Sequence, residues 1–222
     1  MTASLDSGLF HSLENPFGGS EAGVDFGQGR SGLDLRDSGF LSDVPLGDQT
    51  MSIAIRKCRP SDARALSLLG QATMLATYAE TVPLDDILQH CEGPHSVATY
   101  AEWLGRMDYQ IWLAEVEATH APIGYAVLGP PEVTLDLEET DIELRRIYVL
   151  QGFHGGGLGA RLLSTVVEAA HEAGFQRLLL SVYSRNENAI GFYIRQGFIQ
   201  AGTHRFKVGS NDYDDFIMAR SL

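Results

Sequence analysis

The sequence is poor in cysteine and has no long apolar run. Among its 222 residues, Cys58 and Cys91 are the two cysteines, which are too few and too far apart for a disulfide framework or a cysteine metal site. They favour a reducing, cytoplasmic setting. No apolar stretch approaches the roughly 20 residues that a membrane span needs, and we expect neither a secretory signal nor a membrane partner. The seven histidines show no paired metal spacing on one element, so we expect no metal site.

Positive charge is also scarce. Lysine and arginine number 16 against 29 aspartates and glutamates, a formal net charge of -13. This balance disfavours nucleic acid as a main partner, because binding phosphates needs clustered cations. A cationic ligand is compatible with the charge, although many acidic proteins bind no such ligand.

Residues 1–50 differ in composition from the rest of the chain. They are rich in glycine, serine and aspartate, their acidic residues outnumber Arg30 and Arg36, and they show no sustained helical or strand period. Such a segment buries too little apolar surface to offset the entropy of ordering it. We therefore predict a loosely structured extension over residues 1–50, whether a tag, an artefact or a docked tail. We predict one folded domain over residues 51–222, with Met51 as an alternative start.

From Ile53 onward, helical and strand patterns follow one another. Ser61 is the expected N-cap of the first helix, and Gly174 is a C-cap candidate after the fourth. The predicted helices span 62–76, 84–90, 97–106, 158–170 and 188–195. The predicted strands span 53–55, 109–116, 123–128, 142–149, 177–183, 198–203 and 215–219. The order indicates a mixed α/β layer fold in which 177–183, a nearly continuous apolar run, is a central strand.

A glycine-rich loop connects the strand that ends at Val149 with the helix that begins near Leu158. The start of a helix offers unpaired backbone N–H groups and the positive end of the helix dipole, which suit a phosphate. Glycines allow an anion to approach the backbone, since they carry no Cβ. A glycine-rich turn that merely begins a helix is the alternative, and the loop alone does not separate the two.

A second motif lies beyond the next predicted strand. It consists of Asn186, Ala189, Phe192, Tyr193, Gly197 and Phe198. In this order and separation, the two motifs closely resemble those of the GNAT superfamily of acetyl-CoA-dependent N-acetyltransferases. The resemblance covers the chain from about Ile53 to the C-terminus. It implies the GNAT fold, a mixed and mostly antiparallel central sheet flanked by helices.

The resemblance implies acetyl-CoA as cosubstrate. Its pyrophosphate would lie on the amides of the glycine loop, its pantetheine would pair with the strand edge, and the Val149 amide would polarise the acetyl carbonyl. The implied cofactor-binding residues are Ile147, Tyr148, Val149, His154, Gly155, Gly156, Gly157, Leu158, Gly159, Ala160, Asn186, Ala189 and Tyr193. His154 is a departure, because the family usually has arginine or glutamine there. Backbone amides do most of the phosphate binding, so we expect function to survive with weaker affinity.

Two residues are candidates for proton transfer. The resemblance implies that Tyr193 protonates the departing thiolate, although a tyrosine beside Phe192 could equally pack on a helix face. Glu143 is our candidate for the base that deprotonates the substrate amine, which is mostly protonated at neutral pH. Competing groups are water chains and the carboxylates of Glu138, Glu139 and Asp141. No cysteine lies in either motif, so we expect direct transfer in a ternary complex without an acetyl-cysteine.

A narrower resemblance is to the PaiA-type branch, whose members acetylate polyamines such as spermidine and spermine. The segments that carry it are 143–150, 186–190, 202–209 and 214–218. The resemblance implies a long cationic substrate, whose groove could be lined by Asp85, Asp86, Glu138, Glu139 and Asp141. A solvated acidic surface is the alternative for each of these carboxylates.

Other readings stay open at this point. They are acetylation of a protein N-terminus or lysine, and a regulatory domain that binds acyl-CoA without turnover. His204 is expected to pack or to form a hydrogen bond in the C-terminal hairpin. The frequent dimers of the superfamily favour a homodimer.

Overall fold

The computed structural model of the protein describes residues 51–80, 82–208 and 211–222, so the predicted extension lies outside the described residues. The helices are α1 (Ala63–Tyr78), α2 (Leu84–Glu92), α3 (Val97–Gly105), α4 (Leu158–Glu172) and α5 (Glu187–Arg195). The strands are β1 (Ile53–Lys57), β2 (Gln110–Val116), β3 (Pro122–Gly129), β4 (Asp141–Val149), β5 (Arg177–Tyr183), β6 (Ile199–Val208) and β7 (Asn211–Ser221).

The strands form one seven-stranded sheet in the order β1-β2-β3-β4-β5-β7-β6. Its pairs are antiparallel apart from β4 with β5, which confirms the expected mixed, mostly antiparallel sheet. No helix within the described ranges combines the length and the hydropathy that crossing a bilayer requires.

Apolar clusters cover both faces of the sheet. On one face, the stripe of α4 packs on the central strands through Leu162, Leu163 and Val166, which are fully buried. On the other face, Leu66 of α1 and Tyr100 of α3 pack on β2 and β3. Burying one such side chain contributes about 1.5–3 kcal/mol, so the two layers hold the sheet between them.

Two local predictions about the elements are wrong. Ser61 is not the N-cap of α1, because Pro60–Asp62 forms a 3-10 turn and α1 begins at Ala63. The Asp62 carboxylate accepts hydrogen bonds from the Arg59 N–H (2.6 Å) and from both terminal nitrogens of Arg56 on β1 (2.8 and 3.0 Å). A partner on β1 therefore helps to hold this turn.

The last two strands are longer than predicted, and much of the predicted polar turn between them is strand. Arg205 and Asp214 face each other across the two strands and form an ion pair (2.8 Å). Arg205 and Asp214 are exposed, and β6 is an edge strand, so polar residues are compatible with a strand there. The Nδ1 atom of His204 lies 2.8 Å from Thr134 Oγ1, in the segment between β3 and β4, so its contacts reach beyond the hairpin.

The sheet divides between β4 and β5. Their parallel pairing covers Asp141 to Glu143 of β4 and ends at Leu179 of β5. Beyond that point β4 continues on β3 as far as Val149, while β5 continues on β7 as far as Tyr183. We call the opening between residues 144–149 of β4 and residues 180–183 of β5 the fork.

Candidate active site

The edge of β4 that borders the fork presents backbone groups for a ligand. Leu150 donates its N–H to the Ile123 carbonyl, on the β3 side (2.9 Å). Successive residues of a strand direct their backbone groups to alternate sides, so Val149 and Ile147 direct theirs toward the fork. Tyr148 lies between them, pairs with Tyr125 of β3, and places its ring in the cluster under α1 and α3.

His154 holds the end of this edge. Its Nε2 atom lies 2.7 Å from the Val149 carbonyl oxygen. A carbonyl only accepts, so Nε2 carries the hydrogen. The peptide between Val149 and Leu150 is thereby fixed at both ends, by His154 and by Ile123 of β3. The Nδ1 atom of His154 is buried and has no hydrogen-bond partner within the described part of the chain.

The glycine loop leaves the N-terminus of α4 open. Gly155 and Gly157 have φ values of +79° and +77°, a region that glycine adopts without strain. Gly157 is the N-cap of α4 and forms no side-chain cap, and the first helical bond runs from Arg161 N–H to the Gly157 carbonyl (3.0 Å). A Cβ on any residue of 155–157 would meet no atom within 4 Å. The amides of Leu158, Gly159 and Ala160 therefore fit an anion such as a pyrophosphate.

The second motif is built around α5. The Asn186 side chain accepts a hydrogen bond from the Ala189 N–H (3.0 Å) and so caps the helix. Asparagine is a common residue at this position of a helix. Two turns later Tyr193 is 1% exposed, with its ring centroid 5.2 Å from that of Phe192 and 5.6 Å from that of Phe198.

The two motifs meet in the core. One apolar cluster, the one beneath α4, contains members of the strand edge, the glycine loop and α5, namely Ile147, Val149, Leu158, Ala189 and Tyr193. These residues come from segments up to 46 positions apart, and the packing of α4 and α5 on the same face of the sheet brings them together.

Glu143 is a buried carboxylate at the closed end of the fork. Its side chain is fully buried, and Oε2 accepts the Glu132 N–H (2.6 Å) and lies 3.8 Å from Arg145 Nη1. The Oε1 atom has no hydrogen-bond partner among the described residues. Burial raises the pKa of Glu143 to about 7, while Arg145 and the Glu132 amide act in the opposite direction. A carboxylate with this pKa can exchange a proton near neutral pH.

The other predicted carboxylates have different surroundings. Asp141 is buried and binds the Arg177 guanidinium through both oxygens (2.7 and 2.5 Å), which holds the pKa of Asp141 below its usual value. Glu138, Glu139 and Asp85 are exposed. Asp141 thus stabilises the β4–β5 pairing through Arg177, whereas burial raises the pKa of Glu143.

Sequence reasoning missed Asp215, a second buried carboxylate. It is 2% exposed and accepts a hydrogen bond from the Ser181 hydroxyl (2.8 Å). Burial raises the pKa of Asp215 to about 7. The available signal was Ser181 itself, a polar residue within the apolar run of β5.

Sequence reasoning also missed a buried arginine. Arg146 is 1% exposed, donates to the Tyr100 hydroxyl (2.7 Å) and lies 4.5 Å above the Trp103 ring. The Tyr100 hydroxyl lies 2.5 Å from that of Tyr125. These ring faces and hydroxyls stabilise a cation in the layer between β4 and α3.

The described residues offer neither a reactive cysteine nor a cluster of metal ligands. Cys58 is half-buried, and burial raises the pKa of its thiol to about 12, which disfavours a thiolate nucleophile. No group of three or more histidine, cysteine or acidic side chains within the described ranges could hold a metal ion.

Comparisons with known proteins agree with this geometry. An uncharacterized N-acetyltransferase from Mycobacterium bovis is 30% identical over 162 residues, which cover 73% of this chain and 99% of that protein. The crystal structure of the PaiA N-acetyltransferase from Thermoplasma acidophilum in complex with coenzyme A is similar, with a TM-score of 0.64 and 23% identity. It covers 78% of this chain and 100% of that one.

A second solved structure has the same fold. The ribosomal-protein-S18-alanine N-acetyltransferase from Escherichia coli has a TM-score of 0.57 and 20% identity, covering 77% of this chain and 94% of that one. The model of the acetyltransferase (GNAT) family matches residues 75–198. The chain therefore belongs to the acetyltransferase (GNAT) family and is an acetyl-CoA-dependent N-acetyltransferase.

Proposed function

We propose that the protein transfers the acetyl group of acetyl-CoA directly to a primary amine of a polyamine such as spermidine or spermine. The observation that carries the proposal is Glu143 at the closed end of the fork, a buried carboxylate whose Oε1 atom has no hydrogen-bond partner among the described residues and whose pKa burial raises to about 7. The PaiA-type segments of the sequence and the net charge of -13 support a cationic acceptor.

The strand edge and the glycine loop bind the cosubstrate in this proposal. Acetyl-CoA supplies the activated acetyl thioester. The backbone groups of Ile147 and the carbonyl of Val149 pair with its pantetheine as an added strand would, and the amides of residues 155–160 bind its pyrophosphate. Asn186 faces the cofactor arm. His154 orients the peptide that follows Val149, so its imidazole supports the strand edge.

Proton transfer completes the reaction. Glu143 accepts a proton from the acceptor ammonium, directly or through water, because an alkylamine attacks only in its neutral form. The amine nitrogen then forms its bond to the acetyl carbon, and the Val149 N–H stabilises the charge on the carbonyl oxygen. Tyr193 gives its proton to the sulfur as the carbon–sulfur bond breaks, and the second proton that the amine nitrogen loses restores the Tyr193 hydroxyl, directly or through water.

Replacing Tyr193 by phenylalanine tests the assignment of the acid. The variant keeps the ring that packs on Phe192 and Phe198 and removes the hydroxyl. We expect kcat with spermidine to fall at least about 100-fold, the usual range for a lost general acid, with an unchanged Kd for acetyl-CoA. Thiol release measures kcat and calorimetry measures Kd. Tyr109→Phe is the control, since it removes a hydroxyl under the other face of the sheet; full activity of the Tyr193 variant would contradict the role.

A panel of acceptors tests the substrate class. Spermidine, spermine and peptides with free N-termini or lysines are compared at saturating acetyl-CoA. Turnover of the polyamines with the higher kcat/KM supports the proposal. Turnover of peptides alone would overturn the polyamine assignment and leave the acetyltransferase activity intact.

A further inference from the structure

Asp215 and Ser181 lie on the same face of the sheet as Glu143. On β5, Leu180 and Val182 belong to the cluster beneath α4, so Ser181 and its alternate neighbours face the other way. Asp215 pairs with Tyr183 across β5 and β7, which places it on that face as well. Glu143 pairs with Leu179 and shares the same face. The face opposite α4 therefore carries two buried carboxylates, Glu143 at the closed end of the fork and Asp215 on β7, next to the β5 side of the fork.

The two oxygens of the Asp215 carboxylate differ in their hydrogen bonding. Its Oδ2 atom accepts the Ser181 hydroxyl (2.8 Å), whereas Oδ1 is buried with no hydrogen-bond partner in the part of the chain that the structure describes. No ion pair of Asp215 with a described arginine or lysine is present, while its neighbour Asp214 is exposed and pairs with Arg205. A buried carboxylate without a cation is costly, so this site favours a ligand that brings positive charge.

We propose that Asp215, oriented by Ser181, binds an ammonium group of the acceptor and so selects for acceptors with more than one positive charge. This inference rests on the proposed function, since it concerns the acceptor side of the same fork. Asp215 would determine specificity for the acceptor, a role separate from that of Glu143, which takes the proton.

The spacing of the two carboxylates argues for a long acceptor. Leu179, the partner of Glu143, and Tyr183, the partner of Asp215, are four residues apart on β5. At roughly 3.3 Å per residue, that separation is about 13 Å along the strand. One small amine does not reach both carboxylates, whereas a chain with separated amines can place one near Glu143 and another at Asp215.

The test compares Asp215→Asn with the wild type in the full-length protein at saturating acetyl-CoA. We expect KM for spermidine to rise on the order of 10-fold to 100-fold, because a hydrogen bond between charged groups is lost. KM for hexylamine, which has one amine, should change less than about 2-fold on the same reasoning. Asp215→Glu should recover much of the loss, and Ser181→Ala should raise KM for spermidine by a smaller factor.

Asp214→Asn is the matched control, because it removes the same charge from the next residue, where the side chain is exposed. It should leave KM for both amines unchanged. Thermal unfolding and the Kd for acetyl-CoA are measured on every variant to expose loss of structure. If Asp215→Asn raises KM for spermidine and hexylamine equally, or changes neither, the inference is wrong.

Calorimetry of spermidine with the CoA-bound protein separates this inference from the proposed function. Binding that Asp215→Asn weakens, without turnover by the wild type, supports the Asp215 site and overturns the proposed reaction. Turnover that is insensitive to Asp215 leaves the proposed reaction standing and overturns the site. A wild type that neither binds nor acetylates spermidine overturns both.

Discussion

Asp141 and Glu143 lie two residues apart on β4 and both are buried, yet their carboxylates are in opposite electrostatic situations. The Nε and Nη2 atoms of Arg177 each donate a hydrogen bond to the Asp141 carboxylate, which lowers the pKa of Asp141. Glu143 receives a backbone amide and a more distant guanidinium, so the cost of burying its charge dominates and its pKa rises to about 7. At the residue scale, surroundings separate a structural carboxylate from one suited to proton transfer.

Glu143→Gln should change how stability depends on pH. The folded pKa of about 7 lies above the ordinary 4.5, so the folded state binds this proton more tightly than the unfolded state. The contribution of Glu143 to the free energy of unfolding is therefore full below pH 4.5 and is lost as pH rises through 7. The free energy of unfolding of the variant, relative to that of the wild type, should therefore increase by up to about 3 kcal/mol between pH 5 and pH 8. Urea unfolding at both pH values measures this, with the exposed Glu139→Gln as control; a difference that does not vary with pH would count against the raised pKa.

At the scale of the elements, the two helices of the site begin in different ways. Helix α5 is capped by the Asn186 side chain, which satisfies the Ala189 amide. Helix α4 begins at Gly157 with no side-chain cap, and the glycines before it leave its amides accessible. One helix start holds the position of Tyr193, and the other keeps its amides for an anion.

Asn186→Ala should destabilise the protein by about 1 kcal/mol, because the Ala189 amide loses its acceptor. Asn186→Asp should stay close to the wild type, since aspartate caps a helix equally well and its charge suits the helix dipole. Chemical denaturation measures both variants. A loss in the Asp variant as large as that in the Ala variant would show that the cap is not what Asn186 contributes to stability.

At the scale of the whole molecule, the described residues hold one sheet between two layers. Within this part of the chain, the cluster beneath α4 and the cluster under α1 and α3 cover the two faces of that sheet. The fork itself arises because β4 leaves β5 after Glu143 and remains on β3, so the opening belongs to the central sheet.

The composition of residues 1–50 predicts that a protein of residues 51–222 keeps the stability and the cosubstrate affinity of the full chain. We expect the free energy of unfolding to agree within about 0.5 kcal/mol, the usual range for changes away from the core, and the Kd for acetyl-CoA to agree within about 2-fold. Denaturation and calorimetry on both forms provide the comparison. A 10-fold weaker Kd in the shorter form would instead assign residues 1–50 a part in binding.

Much of the fold was predictable because its signals are local. The apolar stripe of α4, the glycines before it and the cap at Asn186 each act within a few residues, and the structure has these elements at the expected places. Prediction failed where a distant partner decides the outcome. Ser61 is not the N-cap of α1, because Asp62 occupies that position and its carboxylate is held by Arg56 of β1. The hairpin of β6 and β7 is longer than predicted, because polar residues of the two strands pair with each other.

The sequence by itself determined the order of elements, the glycine loop, the motif around Tyr193 and thus the family. Only the tertiary structure decided which carboxylates have partners. Asp141 meets Arg177 36 residues away, Ser181 meets Asp215 34 residues away, and each contact requires the strands to lie side by side. The burial that raises the pKa of Glu143 and Asp215 likewise comes from packing across the sheet, and no local pattern encodes it.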